Sequence, residues 1–499
     1  MSSDITLTNP LKDWKYVSEG GATIVFSYIG PPNPAYDGMV LRLRKSPNVP
    51  VGVRDSDSSD TDEEDDEEEE EEDPSISFQR LCMSRLIPPV HLPRLQSVPV
   101  RMDPVRSVSI DQSTGVYIDN HHTRTMPGDF YGPPHIHSNR WLRTLAKAHD
   151  AERPEPRRKT GGVDVHKQKG VLATDLVGGE GVSVEIKGQV ALGYCPLDLF
   201  SNDETRVRKA LGVLFDAWEE SGGKVNNLKI FVKGRMLKVD QKHLLLASSH
   251  KNTNTNTNAS TNGTTTPTPE TETVNEKAIR ETFISTLLPL LTRTPALQAL
   301  NRLQRTLDML DVEGLAQVWR AYHKHQQPES EPEPELGAGM EEPTIDEWMS
   351  FIDSYLEQSQ SQSRNHEAGK GEAERNGREH TYAFLPGPLP DTPDVKYTEQ
   401  EMRSFLLAYL LSATFKDCSV IVRVPLLDVS SPSSGGAREG EVKEGNVTII
   451  DLDPKSMTRL RRWEVLDGEI VRDYVAFREE GGRKVCVDAG GGGGGEVKG

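Results

Sequence analysis

The chain of 499 residues contains four cysteines, Cys82, Cys195, Cys418 and Cys486, and no two are close in sequence. This spacing excludes a CxxC redox or zinc motif. It argues against a disulfide framework and suits a reducing compartment. Apolar residues make up 35% of the chain and aromatic residues 6%. Both are low for a chain packed along its whole length, so part of it is expected to stay unfolded while the rest builds a sizeable core. No apolar run reaches the ~18 residues of a spanning helix, so no membrane insertion is expected. The opening MSSDITLTNPLKDW lacks a signal-peptide core. These absences lead us to expect a soluble intracellular protein, in the nucleus and/or cytoplasm. Neither GxGxxG nor GxxxxGK(S/T) occurs between a strand and a helix, and no solenoid-type repeat is visible.

Acid is plentiful. The net charge is −19, and much of it lies in one block, Asp55 to Asp73, DSDSSDTDEEDDEEEEEED. Charges this dense repel one another and stay extended, as a solvated loop or as a docking segment for a basic partner. No nucleic-acid partner is expected, and the chain is read as a monomer.

Further polar stretches read as insertions that bury no core. Disordered insertions are expected over residues 55–75, 248–275, 327–342, 357–378 and 430–445, with a disordered tail over 481–499. Between them lie patterned blocks. YVSEGGATIVFSYIG and GMVLRLRK, separated by PPNPAYDG, look like an antiparallel pair of β-rich runs. GVLATDLVGGEGVSVEIK reads as two more strands and NLKIFVKG as a short one. Leu197–Trp218 has helical spacing after a capping-like Ser201. Glu276–His323 carries long helical patterning, and Leu300, Leu303, Leu307 and Leu310 form one stripe. Thr398–Leu411 is expected as a helix and Cys418–Val424 as a strand. A strand Val447–Asp453 and a helix Ser456–Phe477 close the chain. Strands first and helices later suggest an α+β chain in two lobes. The expected division is an N-terminal lobe over residues 1–180 and a C-terminal lobe over 181–480.

Acids and bases meet in TIIDLDPKSMTRLRRW, Thr448–Trp463. Asp451 and Asp453 would share a face at the end of a buried strand, a common way to hold magnesium. Lys455, Arg459 and Arg462 recur at i, i+4, i+7, so on a helix they share one side. Carboxylate for metal beside cations for phosphate suits phosphoryl transfer. A plain strand-end turn followed by a solvated basic helix would read the same way. In SEGGATIVFSY, Gly20 and Gly21 let backbone amides approach a phosphate, with Arg42 on the paired strand. Two glycines also suit an ordinary hairpin. In VSVEIKG, Glu185 and Lys187 point to one face. RPEPRRK, Arg153–Lys159, is either a phosphate clamp or a solvated loop. His121, His122, His135 and His137 cluster without a zinc frame and are read as surface histidines.

Together these blocks resemble the inositol-pentakisphosphate 2-kinase family. The resemblance rests on EGGATIVFSY, GMVLRLRK, GVLATDL, Glu185-Ile186-Lys187, PLDLFS and NNLKIFVKG. It rests further on LDVEGLAQVWRAY, ATFKDCSVIV and IIDLDPKSMTRLRRWEVLDGEIVRDY, all in the family's order. It covers about half the chain, and the polar insertions look like fungal-style loop expansions. The family implies a two-lobed inositol polyphosphate kinase-like fold, distantly protein-kinase-like. It implies transfer of the γ-phosphate of ATP, with Mg2+, to the 2-hydroxyl of inositol pentakisphosphate. Inositol hexakisphosphate, phytate, is the implied product. By resemblance, Gly20, Gly21, Ala22, Thr23 and Arg42 contact the ATP phosphates, and Thr174 and Asp175 form the adenine hinge. Glu185, Lys187 and Lys229 face the nucleotide; Lys229 stands where the family has Arg. Asp451, with Lys187, is catalytic, and Asp451 also binds the metal. Arg157, Asn226, Asn227, Lys455, Arg459 and Trp463 would hold the inositide, Trp463 standing where Tyr is usual. The pattern departs from the family after Lys187. The family reads Glu-x-Lys-Pro-Lys and then a long basic segment, whereas here VSVEIKGQVALGYCPLDLF runs on directly. Gln189 replaces the second signature lysine. Either coding sequence was skipped here, or the chain is a weakened or inactive inositide-binding relative.

Overall fold

The computed structural model describes residues 4–47, 72–100, 109–110, 117–118, 140–188, 196–246, 269–307, 310–324, 334–368, 396–427 and 446–479. Helices and strands are mixed, and the chain divides into two compact units. One comprises Met1–Ile76 and Pro93–Gly179; the other comprises Ser77–Leu92 and Glu180–Gly499. Ser77–Leu92, which the sequence places in the N-terminal lobe, therefore belongs to the second unit. The reason is burial: Phe78, Cys82, Met83, Leu86 and Ile87 all lie in the second unit's core.

The first unit is built on β1 (Trp14–Glu19), β2 (Thr23–Tyr28), β3 (Met39–Pro47), β4 (Leu95–Pro99), β5 (Ser109–Ile110), β6 (Tyr117–Ile118), β7 (Gly161–Val163) and β8 (Lys169–Thr174). The main sheet has the order β1-β2-β3-β8-β4 with antiparallel neighbours. β7 pairs with β3, and β5 pairs with β6. The first β-rich run thus holds two strands, with the double glycine at the turn between them. Alternation decides the faces. Ile24 lies opposite Leu43 and Phe26 opposite Leu41, and all four are buried. Trp14, Val98, Leu172 and the helix residues Trp141, Leu142 and Leu145 complete this core. Arg42, between Val25 and Val171 in register, falls on the opposite face.

The second unit holds β9 (Val182–Lys187), β10 (Leu228–Val232), β11 (Arg235–Met236), β12 (Ser419–Val424) and β13 (Val447–Ile450), in the antiparallel order β11-β10-β9-β12-β13. Val182, Val184, Ile186, Ile230, Val420, Val422, Val447 and Ile449 are buried and share a core with the helices Glu204–Glu220, Pro269–Arg293, Pro295–Leu307, Asp311–Lys324 and Glu399–Asp417. The long pattern Glu276–His323 resolves into three of these helices. Thr294, before Pro295, is pushed out of helical backbone by the proline ring. Asp311 stands at φ 51° at the next break. The cap of Glu204–Glu220 is Asp203 rather than Ser201; its carboxylate accepts the Thr205 and Arg206 amides at 2.8 and 3.3 Å. Glu399–Asp417 opens on a full capping box between Thr398 and Glu401.

Parts of the expected insertions are ordered. Leu336 is buried, and Glu342 accepts the Met457 amide at 3.0 Å, so residues 334–342 pack into the second unit. The helix Ile345–Ala368 runs through the start of the 357–378 stretch, and Pro269 already opens a helix within 248–275. At the end of the acidic run, Asp73 pairs with Arg44 at 2.9 Å. Residues 48–71, 430–445 and 481–499, Gln189 and the four clustered histidines lie outside the described residues.

Candidate active site

On the second unit's sheet, Ser183, Glu185 and Lys187 alternate away from the core on β9. Ser419 lies opposite Lys187, and Lys229 opposite Glu185. Both pairings set side chains on one face. Lys229 Nζ donates to Glu185 Oε1 at 2.9 Å. The Ser419 hydroxyl, fully buried, lies 3.4 Å from Glu185 Oε1 and 3.2 Å from Asp451 Oδ2. Lys187 Nζ stands 4.0 Å from that same Asp451 oxygen. Two carboxylates and two ammonium groups are thus joined through one hydroxyl. The Lys187 amide donates to the buried Asn227 carbonyl at 2.9 Å, which brings the Asn226–Asn227 pair beside β9. Asn226 is exposed.

Asp451 departs from the expected geometry. β13 ends at Ile450, and Asp451 takes left-handed backbone, φ 62°. Aspartate tolerates that region better than most residues. The two-residue period therefore stops before Asp451, and it does not put Asp453 on the same face. Asp453 is exposed, and its carbonyl accepts the Thr414 hydroxyl at 3.2 Å.

The basic residues that follow are also rearranged. Lys455 precedes the 3-10 turn Met457–Arg459 and the helix Leu460–Glu479, so the i, i+4, i+7 stripe does not form. Lys455 is buried and donates to Asp417 Oδ2 at 2.6 Å. Tertiary packing still gathers Lys455, Arg459 and Trp463 around one cavity of about 340 Å³, with Lys416, Asp417 and Tyr409; Arg462 is not among its lining residues. Between Asp417 and Ser419 in sequence, Cys418 is buried and its thiol donates to the Phe415 carbonyl at 3.1 Å. Burial first, then Asp451 and Asp417, push its thiol up to about 12 against the opposing pull of Lys187 and Lys455.

In the first unit, Gly20, Gly21 and Ala22 form the exposed turn between β1 and β2, and the Gly20 amide donates to the Thr23 carbonyl at 2.9 Å. Arg42 is half-buried, and among the described residues no acid pairs with it. Thr174 and Asp175 are committed inward. Asp175 accepts from the Ser27 hydroxyl at 2.6 Å and from the Val177 and Gly178 amides, while its own amide donates to Gly38. The Thr174 hydroxyl accepts from the Arg94 amide, and the Thr174 amide donates to the Arg94 carbonyl. These bonds occupy the Asp175 carboxylate and tie the Thr174 hydroxyl to Arg94. In RPEPRRK, Arg157 and Lys159 are exposed, whereas Arg153 is buried against Glu19.

Sequence reading missed Ser419, Asp417 and the Glu19–Arg153 pair. Ser419 carried a signal in the alternation of SVIVRV, but only the strand register shows what it faces. Among the described residues no three His, Cys, Asp or Glu side chains gather as a metal cage, and no helix is long and apolar enough to cross a membrane.

Carboxylates interleaved with lysines on one face of a sheet are a set of groups suited to handling phosphate. The sequence profile of inositol-pentakisphosphate 2-kinase matches residues 16–192 and 188–469, and its two parts meet where the sequence departs from the family pattern. The chain is 25% identical over 509 residues to proteins named inositol-pentakisphosphate 2-kinase from two strains of Cryptococcus neoformans var. neoformans serotype D, JEC21 and B-3501A. Each alignment covers 93% of both chains. The chain belongs to the inositol-pentakisphosphate 2-kinase family, a family of phosphate-transferring enzymes.

Proposed function

We propose that this chain transfers the γ-phosphate of ATP to the 2-hydroxyl of inositol 1,3,4,5,6-pentakisphosphate, giving inositol hexakisphosphate and ADP. The carrying observation is the linked set Lys187, Asp451, Ser419, Glu185 and Lys229 in a member of this family. The fold we propose is the family's two-lobed, kinase-like one, with the first unit assigned to nucleotide, the second to inositide, and Arg157 of the first unit also assigned to the inositide. The Gly20–Thr23 turn offers amides, and Arg42 a guanidinium, to the ATP phosphates. With its side chains turned inward, the Thr174–Asp175 hinge would meet adenine through main-chain carbonyls.

Magnesium is commonly held by one or two carboxylates together with substrate phosphates. Asp451, seconded by Glu185, would hold that ion, and its charge would offset that of the substrate phosphates. Asp451 also faces the attacking hydroxyl. The inositol oxygen bonds to the γ-phosphorus, the bond to the ADP oxygen breaks, and Asp451 receives the hydroxyl proton. Lys187, 4.0 Å from Asp451, offsets negative charge on the phosphoryl group in flight. Lys455 and Arg459, with Arg157, Asn226 and Asn227, hold the ring phosphates by charge-assisted bonds, and Trp463 packs against the ring. Lys455 must share its ammonium with Asp417 to do so.

The test is incubation of the full chain with ATP, magnesium and inositol pentakisphosphate, with chromatography of the inositides. Hexakisphosphate is expected, and Asp451→Asn should lower its rate of formation at least a hundredfold, on the order of losing a positioned base. No product above the Asp451→Asn background would overturn the proposal.

A further inference from the structure

Two cations beside the glycine turn are spoken for by the protein itself. Glu19, the last residue of β1, is almost fully buried, with 1% of its side chain exposed. Arg153 Nε and Nη2 donate to its two oxygens at 3.2 and 2.9 Å, and Lys45 Nζ lies 2.5 Å from Oε2. Arg153 and Lys45 are themselves only 4% and 6% exposed. The Tyr16 hydroxyl also donates to Glu19 Oε1 at 3.5 Å, and the other bonds that leave this triad run to two places. Lys45 Nζ donates to the Gly20 carbonyl at 2.8 Å, and the Lys45 amide to the Ala22 carbonyl at 2.9 Å. Arg153 Nη2 donates to the carbonyls of Gly161 at 2.6 Å and Arg157 at 3.3 Å, and its Nη1 meets Asp150 at 3.1 Å.

Burying three charges is an expensive way to gain stability, since desolvation consumes most of the attraction. Its return here is geometry. The turn has no side chain at Gly20 or Gly21 to hold it. An added methyl would meet only Thr23 Oγ1, at 3.9 Å, at Gly20 and nothing within 4 Å at Gly21. Besides the Gly20–Thr23 main-chain bond, its shape is held from behind by Lys45, itself fixed by Glu19. The planar fork of Arg153 spans from the acid that precedes the turn to the short helix Glu155–Arg158 that bears Arg157. A lysine there could not make both sets of bonds.

We infer that Glu19, Lys45 and Arg153 form a buried clasp that fixes the Gly20–Thr23 turn and the Arg157 helix as one piece. On this inference, Lys45 and Arg153 are positioning residues for phosphate binding, and neither touches a phosphate. The inference rests on the assignment of the turn and Arg157 under the proposed function, and the experiment separates the two. Full-length wild type, Arg153→Lys, Lys45→Met and Arg157→Ala are compared by calorimetric titration with Mg·ATP and with inositol pentakisphosphate. Amide hydrogen exchange is followed at residues 20–23, 45 and 157–161. Arg153→Lys should weaken both ligands, each by about tenfold or more, the scale of one lost charge-assisted bond. Exchange should accelerate at both segments. Lys45→Met, the milder change should Arg153→Lys fail to fold, should weaken ATP and accelerate exchange at the turn. Arg157→Ala should weaken only the inositide. ATP affinity within twofold of wild type, with unchanged exchange in both clasp variants, would reduce the triad to an ordinary ion cluster and overturn the inference. If the wild type binds no ATP, the functional proposal fails, while the exchange data still decide whether the clasp exists.

Discussion

Replacing Gly21 by alanine separates what the fold needs from what a ligand needs. Neither Gly20 nor Gly21 stands in left-handed backbone, and a methyl at Gly21 meets no atom within 4 Å. Alanine there costs the folded state nothing and removes freedom from the unfolded chain. The expected change is a stabilisation of about 0.4–1 kcal/mol. A phosphate cradled by the turn would meet that methyl instead of open amides. Loss of one amide–phosphate bond is worth about 1.5–3 kcal/mol, or roughly a tenfold to hundredfold rise in Kd. Thermal unfolding reads the first effect and calorimetric titration with Mg·ATP the second. The signature is a protein that melts no lower and binds ATP more weakly. Unchanged ATP affinity would show that the two glycines make only a hairpin, and the phosphate-cradle reasoning would be refuted. A lower melting point would refute the structural account of open space around the turn.

Three further expectations follow from single contacts. Ser419→Ala removes the one hydroxyl shared by Glu185 and Asp451; kcat should fall about tenfold, the scale of one such bond, with little change in the KM for ATP, and an unchanged kcat in steady-state assays would exclude Ser419 from the site. Lys455→Met takes one cation from the 340 Å³ cavity and leaves Asp417 without its 2.6 Å partner; inositide affinity should drop about tenfold or more by calorimetry, and equal affinity would remove Lys455 from the binding set. Burial alone would raise the Glu19 carboxyl, but bonds from Arg153 and Lys45 outweigh it and hold it below its ordinary 4.5. The charged form is therefore favoured in the folded state. Its contribution is complete above that ordinary value and is lost as pH falls through the lower folded one. The melting temperature of the wild type should drop over that acid range, and Glu19→Gln should flatten that part of the curve; parallel curves would contradict it.

Local rules carried much of the architecture. The alternation in TIVFSY and MVLRLRK is a statement about a strand's two faces, and it holds wherever the strand is placed. The helix opened by Thr398 and the end of the helix before Pro295 follow from groups within a few residues of each other. So do the acids, lysines and arginines a phosphate site requires, since their identities are written in the chain. Ser201 is not the cap because the helix starts at Glu204, which makes Asp203 the capping position, while the Ser201 hydroxyl accepts the Asp203 amide at 3.0 Å.

Register, burial and backbone choice are set by partners far away in sequence, and they decided which of those charges meet. Pairing of β9 with β10 and β12 put Ser419, 234 residues from Glu185, within 3.4 Å of it. The turn of Asp451 into left-handed backbone undid its expected alignment with Asp453 and left it beside Lys187. Lys455 lost its place on a helical stripe but joined Arg459 through the cavity wall. Arg153, one letter among several in RPEPRRK, was drawn inside by Glu19 while Arg157 stayed out. A sequence fixes periodicity and chemical identity because both act over one or two turns. It leaves open which buried charge finds which partner, because that depends on desolvation and packing across the whole unit.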